Sequence, residues 1–293
     1  MSDHPWYSNL LACPDCGTAR AWNTAAACSG CGFVNATPKD WRAVKPLPMK
    51  LTAPRVLPEH ATEMLGRLEI TGPKLTYNGP PAKRNSRQFM SIIQDHLHPG
   101  DSVLDLGCGP RDQVVPVEHL QLRYVGLDYD HAGAEMWGDA HSLPFKDQSF
   151  DCVLSYAVLE HLHAPWVAIH EVARILKPGG IYIGSVSQGE PFHHSYFHHT
   201  PWAMCSLIAL CPELSLERIR PSMDTLRSLS RMGRYPRVIQ KALKLVESVN
   251  RRCPWLAPRR MRWSQQEKDL DQLYRAGSLC FLVRRHQHSV NAE

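Results

Sequence analysis

The fold is decided by SVLDLGCGP at residues 102–110 and by YVGLDYD at residues 124–130. In each stretch an apolar, β-rich run leads into an acidic residue, and the first stretch continues into a Gly-x-Gly turn. The glycines allow a sharp turn and a close approach of the backbone to a ligand, and a carboxylate after the second strand suits a ribose diol. The two stretches therefore predict a nucleotide-binding βαβ unit.

Three further blocks follow in order: GDA at residues 138–140, SFDCVLSYAVLEHL at 149–162 and EVARILKPGG at 171–180. Together the five blocks resemble the class I S-adenosylmethionine-dependent methyltransferases, in the group with LDLGCG, GDA-x-x-LPF, LEHL and LKPGG motifs. The resemblance is tight to residue 187 and looser to residue 285. It implies an α/β, Rossmann-like fold with a mostly parallel seven-stranded sheet, and S-adenosylmethionine as cofactor.

The resemblance also assigns cofactor contacts to the strand ends. Asp128 is expected to bind the ribose hydroxyls, Asp139 the exocyclic amine of adenine, and the backbone amide of Ala140 a ring nitrogen. Asp105 is expected to face the amino group of the methionine part, and Ser155 to lie near the same end. The other predicted cofactor contacts form the turn itself: Gly107, Cys108 and Gly109.

Two features depart from the family pattern. The usual third glycine is replaced, because the run continues as Gly109-Pro110-Arg111. The segment between Asp128 and Asp139 is also too short for a full crossover helix, so this side of the sheet should be thinly covered. We expect the extra N-terminal module or a partner to cover it.

Four cysteines near the N-terminus form a metal-binding pattern, with CPDCG supplying Cys13 and Cys16 and CSGCG supplying Cys28 and Cys31. The spacing C-x2-C-x11-C-x2-C lets two knuckles present a tetrahedral set of four thiolates. It favours structural zinc in a small zinc ribbon. Iron in a rubredoxin-like site and uncoordinated thiols are the alternatives.

The six other cysteines are scattered without a pairing pattern, which fits a reducing compartment. The first residues, MSDHPWYSNL, do not read as a signal peptide, and no apolar run reaches the length of a membrane span. These observations predict a cytoplasmic protein. The scattered cysteines are Cys108, Cys152, Cys205, Cys211, Cys253 and Cys280.

The composition changes along the chain predict a zinc ribbon at residues 1–36, a linker and lead-in segment at 37–84, and a methyltransferase domain at 85–293. Five prolines between residues 37 and 58 indicate an extended linker. Helices are predicted at 87–97 and 166–176, and late strands at 216–220 and 279–284.

A basic helical insertion is predicted at about residues 222–265. Residues 218–262 contain thirteen basic and two acidic side chains, a net charge of +11 in a chain whose net charge is +5. Apolar residues interleave with the basic ones, which is typical of an amphipathic helix on an anionic surface. A solvated helical lid is the alternative. The anionic partner could be a lipid head group, giving peripheral membrane contact, a phosphorylated acceptor or nucleic acid.

The loop after the fifth strand reads EPFHHSYFHHTPW at residues 190–202, and this edge of a doubly wound sheet is where an acceptor lies. Because methyl transfer to a hydroxyl requires proton removal, the predicted catalytic residues are His193, His198 and Tyr196. A metal site of His and Glu and a simple helix-entry segment are the alternatives. The run also resembles methyltransferases of bacterial glycan and secondary-metabolite gene clusters.

The sequence thus predicts O-methylation of a small molecule or glycan, with an anionic or lipid-linked acceptor as one option. One rival is an RNA methyltransferase, because some ribosomal-RNA guanine methyltransferases join a zinc finger to this fold. Against it, those enzymes resemble a Cys3His site, and the N/DPPY motif is absent since the fourth strand ends in SYAVLEHL. The other rival is a non-catalytic scaffold.

Overall fold

The computed structural model describes residues 5–22, 26–45, 58–68, 79, 87–189, 194–224, 236–252 and 263–287. The strands are β1 Ser102–Leu106, β2 Arg123–Asp128, β3 Met136–Trp137, β4 Phe150–Tyr156, β5 Leu176–Ser187, β6 Leu214–Asp224 and β7 Ala276–Arg285. The helices are α1 Pro58–Arg67, α2 Arg87–His96, α3 Val114–His119, α4 Pro165–Ile175, α5 Pro201–Ala209, α6 Arg237–Arg252 and α7 Gln265–Tyr274.

The seven strands form one sheet in the order β3-β2-β1-β4-β5-β7-β6. Strand β7 is antiparallel to both of its neighbours, and the other neighbouring pairs are parallel. This topology confirms the predicted Rossmann-like class I methyltransferase fold. The predicted helices at 87–97 and 166–176 correspond to α2 and α4, and the two late strands lie within β6 and β7.

The sheet carries a hydrophobic core on each face because successive strand residues point to opposite sides. Leu104 and Tyr182 belong to the larger core cluster, whereas their chain neighbours Val103 and Ile183 belong to the smaller one. All five residues of β1 are buried, as expected for a central parallel strand covered on both faces.

The N-terminal segment is part of the larger core. Tyr7, Leu11 and Trp41 are buried there, and Trp41 has no exposed surface. The backbone N–H of Trp41 donates to the carbonyl of Trp137 at 2.8 Å, and the N–H of Trp137 donates to the carbonyl of Lys39 at 2.8 Å. Residues 39–41 therefore run parallel to β3 and cover the edge of the sheet.

The residues that cover this edge, 39–41, follow the N-terminal module that was expected to cover it. Between β2 and β3, the described residues form turns and no helix. The stretch 39–41, expected to be linker, is instead packed, because it supplies the backbone partners that β3 needs on its outer side.

The predicted basic insertion is described in part, as α6 and the start of α7. Residues 225–235 and 253–262 lie outside the described residues. Within the part of the chain that the structure describes, no helix has the length and apolarity to cross a bilayer.

Candidate cofactor site and metal centre

A cavity of about 510 Å³ opens at the carboxyl ends of β1, β2 and β4. Ligands of doubly wound sheets bind at this edge, and the volume lies in the range of small-molecule sites. Four predicted cofactor residues line the cavity: Gly107, Asp128, Asp139 and Ala140. The wall also includes His141, His161, His163 and Tyr196.

Gly107 shapes the floor of the cavity. Its φ is +69°, a left-handed conformation that favours glycine, and a Cβ built there would collide with the side chain of Val158. The amides of Gly107 and Cys108 donate to the carbonyl of Leu127 at 2.7 and 3.1 Å. These bonds tie the turn to the end of β2, so the two predicted motif stretches meet at one point.

Arg111 occupies the position of the family's third glycine and adopts a φ of +62°. A left-handed backbone costs a non-glycine residue about 1–2 kcal/mol. The guanidinium forms an ion pair with Glu135 and lies 5.5 Å from the centroid of the Tyr124 ring. Burial raises the pKa of Glu135, an effect opposed by the Gly126 amide and by Arg111. These interactions hold the strained turn in place.

The two acids on the cavity wall are oriented by neighbouring donors. Asp128 accepts a hydrogen bond from the amide of Gly109 at 2.9 Å. Asp139 accepts from the amide and from Nδ1 of His141, at 2.9 and 2.6 Å through the same oxygen, Oδ1. Burial by itself raises the pKa of Asp139, but the hydrogen bonds from His141 outweigh it and the net pKa is lowered. Asp139 is therefore held as a carboxylate.

Three other predicted cofactor residues are buried and lie off the cavity wall: Asp105, Cys108 and Ser155. Tyr124 donates its hydroxyl to Asp105 at 2.7 Å. Burial raises the pKa of the Asp105 carboxyl to about 7, and the hydrogen bond from Tyr124 opposes that rise. Burial likewise raises the pKa of the Cys108 thiol. Their assignment to the cofactor remains a prediction.

Only some of the predicted catalytic residues in the histidine-rich loop line the cavity. Tyr196 lines it and is 71 % exposed, whereas His198 is exposed but is not on the wall. His193 lies outside the described residues. The amide of Tyr196 donates to the carbonyl of Glu160 at 2.8 Å, and His161 Nδ1 lies 2.6 Å from the carbonyl oxygen of His194. The loop is thus fastened to the LEHL turn.

Among the residues of the wall that sequence reasoning missed are two histidines, His141 and His163. His141 is buried, and its Nε2 accepts a hydrogen bond from the amide of Ala164 at 3.3 Å. Nδ1 then carries the proton donated to Asp139. The ring of His163 lies 4.4 Å from that of His141 and 6.4 Å from that of Tyr196. Two sequence signals could have identified these histidines: His141 directly follows the GDA motif, and His163 belongs to the His-Leu-His run after Glu160.

The four N-terminal thiols converge as predicted. Their sulfur atoms lie within 4.8 Å of one another, with Cys13–Cys31 and Cys16–Cys28 separations of 3.6 Å. A tetrahedral site with Zn–S bonds of about 2.3 Å requires sulfur separations of about 3.8 Å, so the set fits zinc.

The two knuckles have matching backbone geometry. Gly17 and Gly32 both have a left-handed φ, and their amides donate at 2.8 Å to the carbonyls of Cys13 and Cys28. Each C-x-x-C-G turn is therefore closed in the same way. The thiols are preorganised by the backbone, as a structural metal site requires.

In comparison with known proteins, residues 104–184 match the model of a family described as a methyltransferase domain. Over 155 residues the chain is 34 % identical to the mouse (Mus musculus) protein named probable tRNA methyltransferase 9B, covering 47 % of this chain and 33 % of the relative. Over 102 residues it is 31 % identical to 27-O-demethylrifamycin SV methyltransferase of Amycolatopsis mediterranei, covering 29 % and 38 %.

The chain spans about a third of the length of the curated relatives it matches. Among solved structures, geranyl diphosphate C-methyltransferase from Streptomyces coelicolor A3(2) has a TM-score of 0.42 and 16 % identity, over 68 % of this chain and 80 % of that chain. The family model matches residues 104–184, and the sheet order of the present structure is that of the class I methyltransferase fold.

Proposed function

We propose that this chain is an S-adenosylmethionine-dependent methyltransferase that methylates an oxygen of a small molecule or glycan. The observation that carries the proposal is the cavity at the carboxyl ends of the strands, with Gly107, Asp128 and Asp139 on one wall. The family match over residues 104–184 supports the same reaction class.

The residues present fit the cofactor. Gly107 allows a tight left-handed turn on the cavity wall, where a Cβ would collide with Val158, and Asp128 and Asp139 offer carboxylate oxygens to ribose hydroxyls and an adenine amine. When bound, S-adenosylmethionine supplies a methyl group on a positively charged sulfur for in-line displacement. The protein has to hold the acceptor in line and exclude water.

Proton removal from an acceptor hydroxyl is the other task of the protein. Of the predicted catalytic residues, Tyr196 is on the cavity wall, and we add His163 because it lines the same cavity and its ring is near those of both His141 and Tyr196. His141 is fixed by Asp139 and Ala164, so the ring of His163 lies beside a fixed neighbour, tilted from it by 42°. We propose His163 as the base and Tyr196 as an acceptor contact, with His193 and His198 as further candidates.

A first experiment tests the cofactor site by calorimetry with S-adenosylmethionine. Asp128→Ala should weaken binding by about 1.5–3 kcal/mol, as expected for loss of charge-assisted hydrogen bonds. Asp130→Ala is the matched control, because Asp130 is exposed and off the cavity wall, and it should leave the affinity unchanged. Equal affinity in both variants contradicts the site, and no binding by the unaltered protein favours a non-catalytic scaffold.

A second experiment tests the acceptor class. Labelled S-adenosylmethionine should transfer its methyl group to a fraction of small molecules and glycans, and His163→Ala should slow transfer roughly 10²–10⁴-fold at unchanged cofactor affinity. His198→Ala separates the loop candidates. Label in total tRNA instead would support the RNA alternative, which the relative named as a tRNA methyltransferase favours.

A further inference from the structure

Helix α6, at Arg237–Arg252, presents an apolar face to solvent. Val238 is 78 % exposed, Ile239 43 %, Leu245 65 % and Val246 51 %. Residues seven apart lie on the same side of a helix, so Val238 pairs with Leu245 and Ile239 with Val246 along one stripe. Exposure of these apolar side chains to water is unfavourable, and such an exposed apolar patch marks a site that contacts another apolar surface.

The charge of the same helix is strongly positive. Its sequence, RVIQKALKLVESVNRR, contains five basic residues and one acidic residue. Arg237 and Lys241 are exposed, and Lys241 lies one turn before Leu245, at the border of the apolar stripe. A lysine in this place can keep its ammonium group among polar head groups while its methylene stem follows the apolar layer.

The combination of the two features selects one kind of partner. At 1.5 Å per residue the helix is about 24 Å long, with charges along it, so it can lie in the plane of a bilayer surface. A solvated lid would need no apolar stripe, and an RNA phosphate backbone would contact the basic side and leave the stripe in water.

We propose that α6 is a peripheral membrane anchor that inserts its apolar stripe into the head-group region of an anionic bilayer. The surface consists of Val238, Ile239, Leu245 and Val246 with the flanking Arg237 and Lys241. It lies outside the cofactor cavity, so the proposal stands independently of the methyl acceptor. Membrane binding would hold the catalytic domain where lipid-linked acceptors are found.

The experiment is sedimentation of the full chain with vesicles. The protein should bind vesicles of phosphatidylglycerol and phosphatidylcholine, bind pure phosphatidylcholine weakly, and lose binding as salt is raised. Val246→Glu should reduce binding to the anionic vesicles at least about tenfold. Lys241→Glu should reduce it roughly ten- to thirty-fold, since each basic group near the surface contributes about fivefold.

Val115→Glu is the matched control, because Val115 is also an exposed valine on a helix, 58 % exposed on α3. It should bind like the unaltered protein, and all variants should retain the same circular dichroism spectrum. The proposal is overturned if the unaltered protein does not bind anionic vesicles, or if Val246→Glu and Val115→Glu bind alike. Retention of a tRNA probe that Lys241→Glu abolishes and Val246→Glu preserves would assign α6 to nucleic acid instead.

Discussion

The N-terminal segment and helix α6 are both additions to the same sheet, yet they use apolar residues in opposite ways. Tyr7, Leu11 and Trp41 are buried in the core, and the segment adds backbone hydrogen bonds to β3. On α6 comparable side chains such as Val238 and Leu245 are mostly exposed. An addition of the first kind stabilises the domain, and one of the second kind is available for a partner.

Metal removal should give the largest difference between the two additions. The thiols position a segment that belongs to the main core, so chelation should lower the free energy of unfolding of the domain by more than about 5 kcal/mol. Structural zinc contributes roughly 10–16 kcal/mol in zinc-finger peptides. The check is thermal unfolding with elemental analysis before and after chelation. If stoichiometric zinc is lost and the unfolding temperature does not change, the metal-bound segment does not contribute to the stability of the domain.

Truncating one apolar side chain in each addition gives the next largest difference. Trp41→Ala should cost about 3–5 kcal/mol, because Trp41 is completely buried. Val246→Ala on α6 should change stability by no more than about 0.5 kcal/mol. Urea unfolding measures the loss of stability in both variants. Similar losses in Trp41→Ala and Val246→Ala would contradict the difference between the buried segment and the exposed helix.

The pH dependence of stability should show the smallest difference. Hydrogen bonds from the Arg42 side chain at 2.9 and 2.7 Å lower the pKa of Asp40. A lowered folded-state pKa contributes stability that is present above the unfolded value of about 4 and is lost as pH falls through the folded value. At neutral pH Asp40→Asn should therefore cost about 1 kcal/mol, and the difference should disappear in acid.

Lys241→Gln on α6 is the control for that measurement, because its side chain is exposed and carries no carboxylate. It should leave stability unchanged from neutral pH into acid. If the free energy of unfolding of Asp40→Asn differs from that of the unaltered protein by the same amount at every pH, the ionised form of Asp40 does not contribute to stability.

The fold and the cofactor side were predictable because their signals are local. Gly107 belongs to one continuous turn pattern, Asp128 ends a strand that the sequence marks by its apolar run, and Asp139 belongs to the short GDA motif. The carboxyl ends of parallel strands then meet at one edge whatever the loops do. Cavity lining by these three residues follows from that topology.

The missed features depend on contacts between distant parts of the chain. His141 and His163 are 22 positions apart and become neighbours only when the turns after β3 and β4 pack together. Trp41 lies in a proline-rich stretch without strand periodicity, and only its pairing with Trp137 makes it part of the sheet. In the sequence, Arg111 appears only as the replacement of a glycine. In the structure, its ion pair with Glu135 and its contact with the Tyr124 ring keep the turn in place.

The pairing of residues 39–41 with Trp137 also sets an order for folding during synthesis. At roughly 5–20 residues per second, a ribosome needs about 5–20 seconds to make the chain between Trp41 and its partner. During that interval Tyr7, Leu11 and Trp41 have no sheet to pack on. Their own neighbourhood offers four thiols within a short loop, so metal capture can organise this segment first. When β3 forms, residues 39–41 are then already in place to pair with it, so the edge of the sheet is not open to another chain.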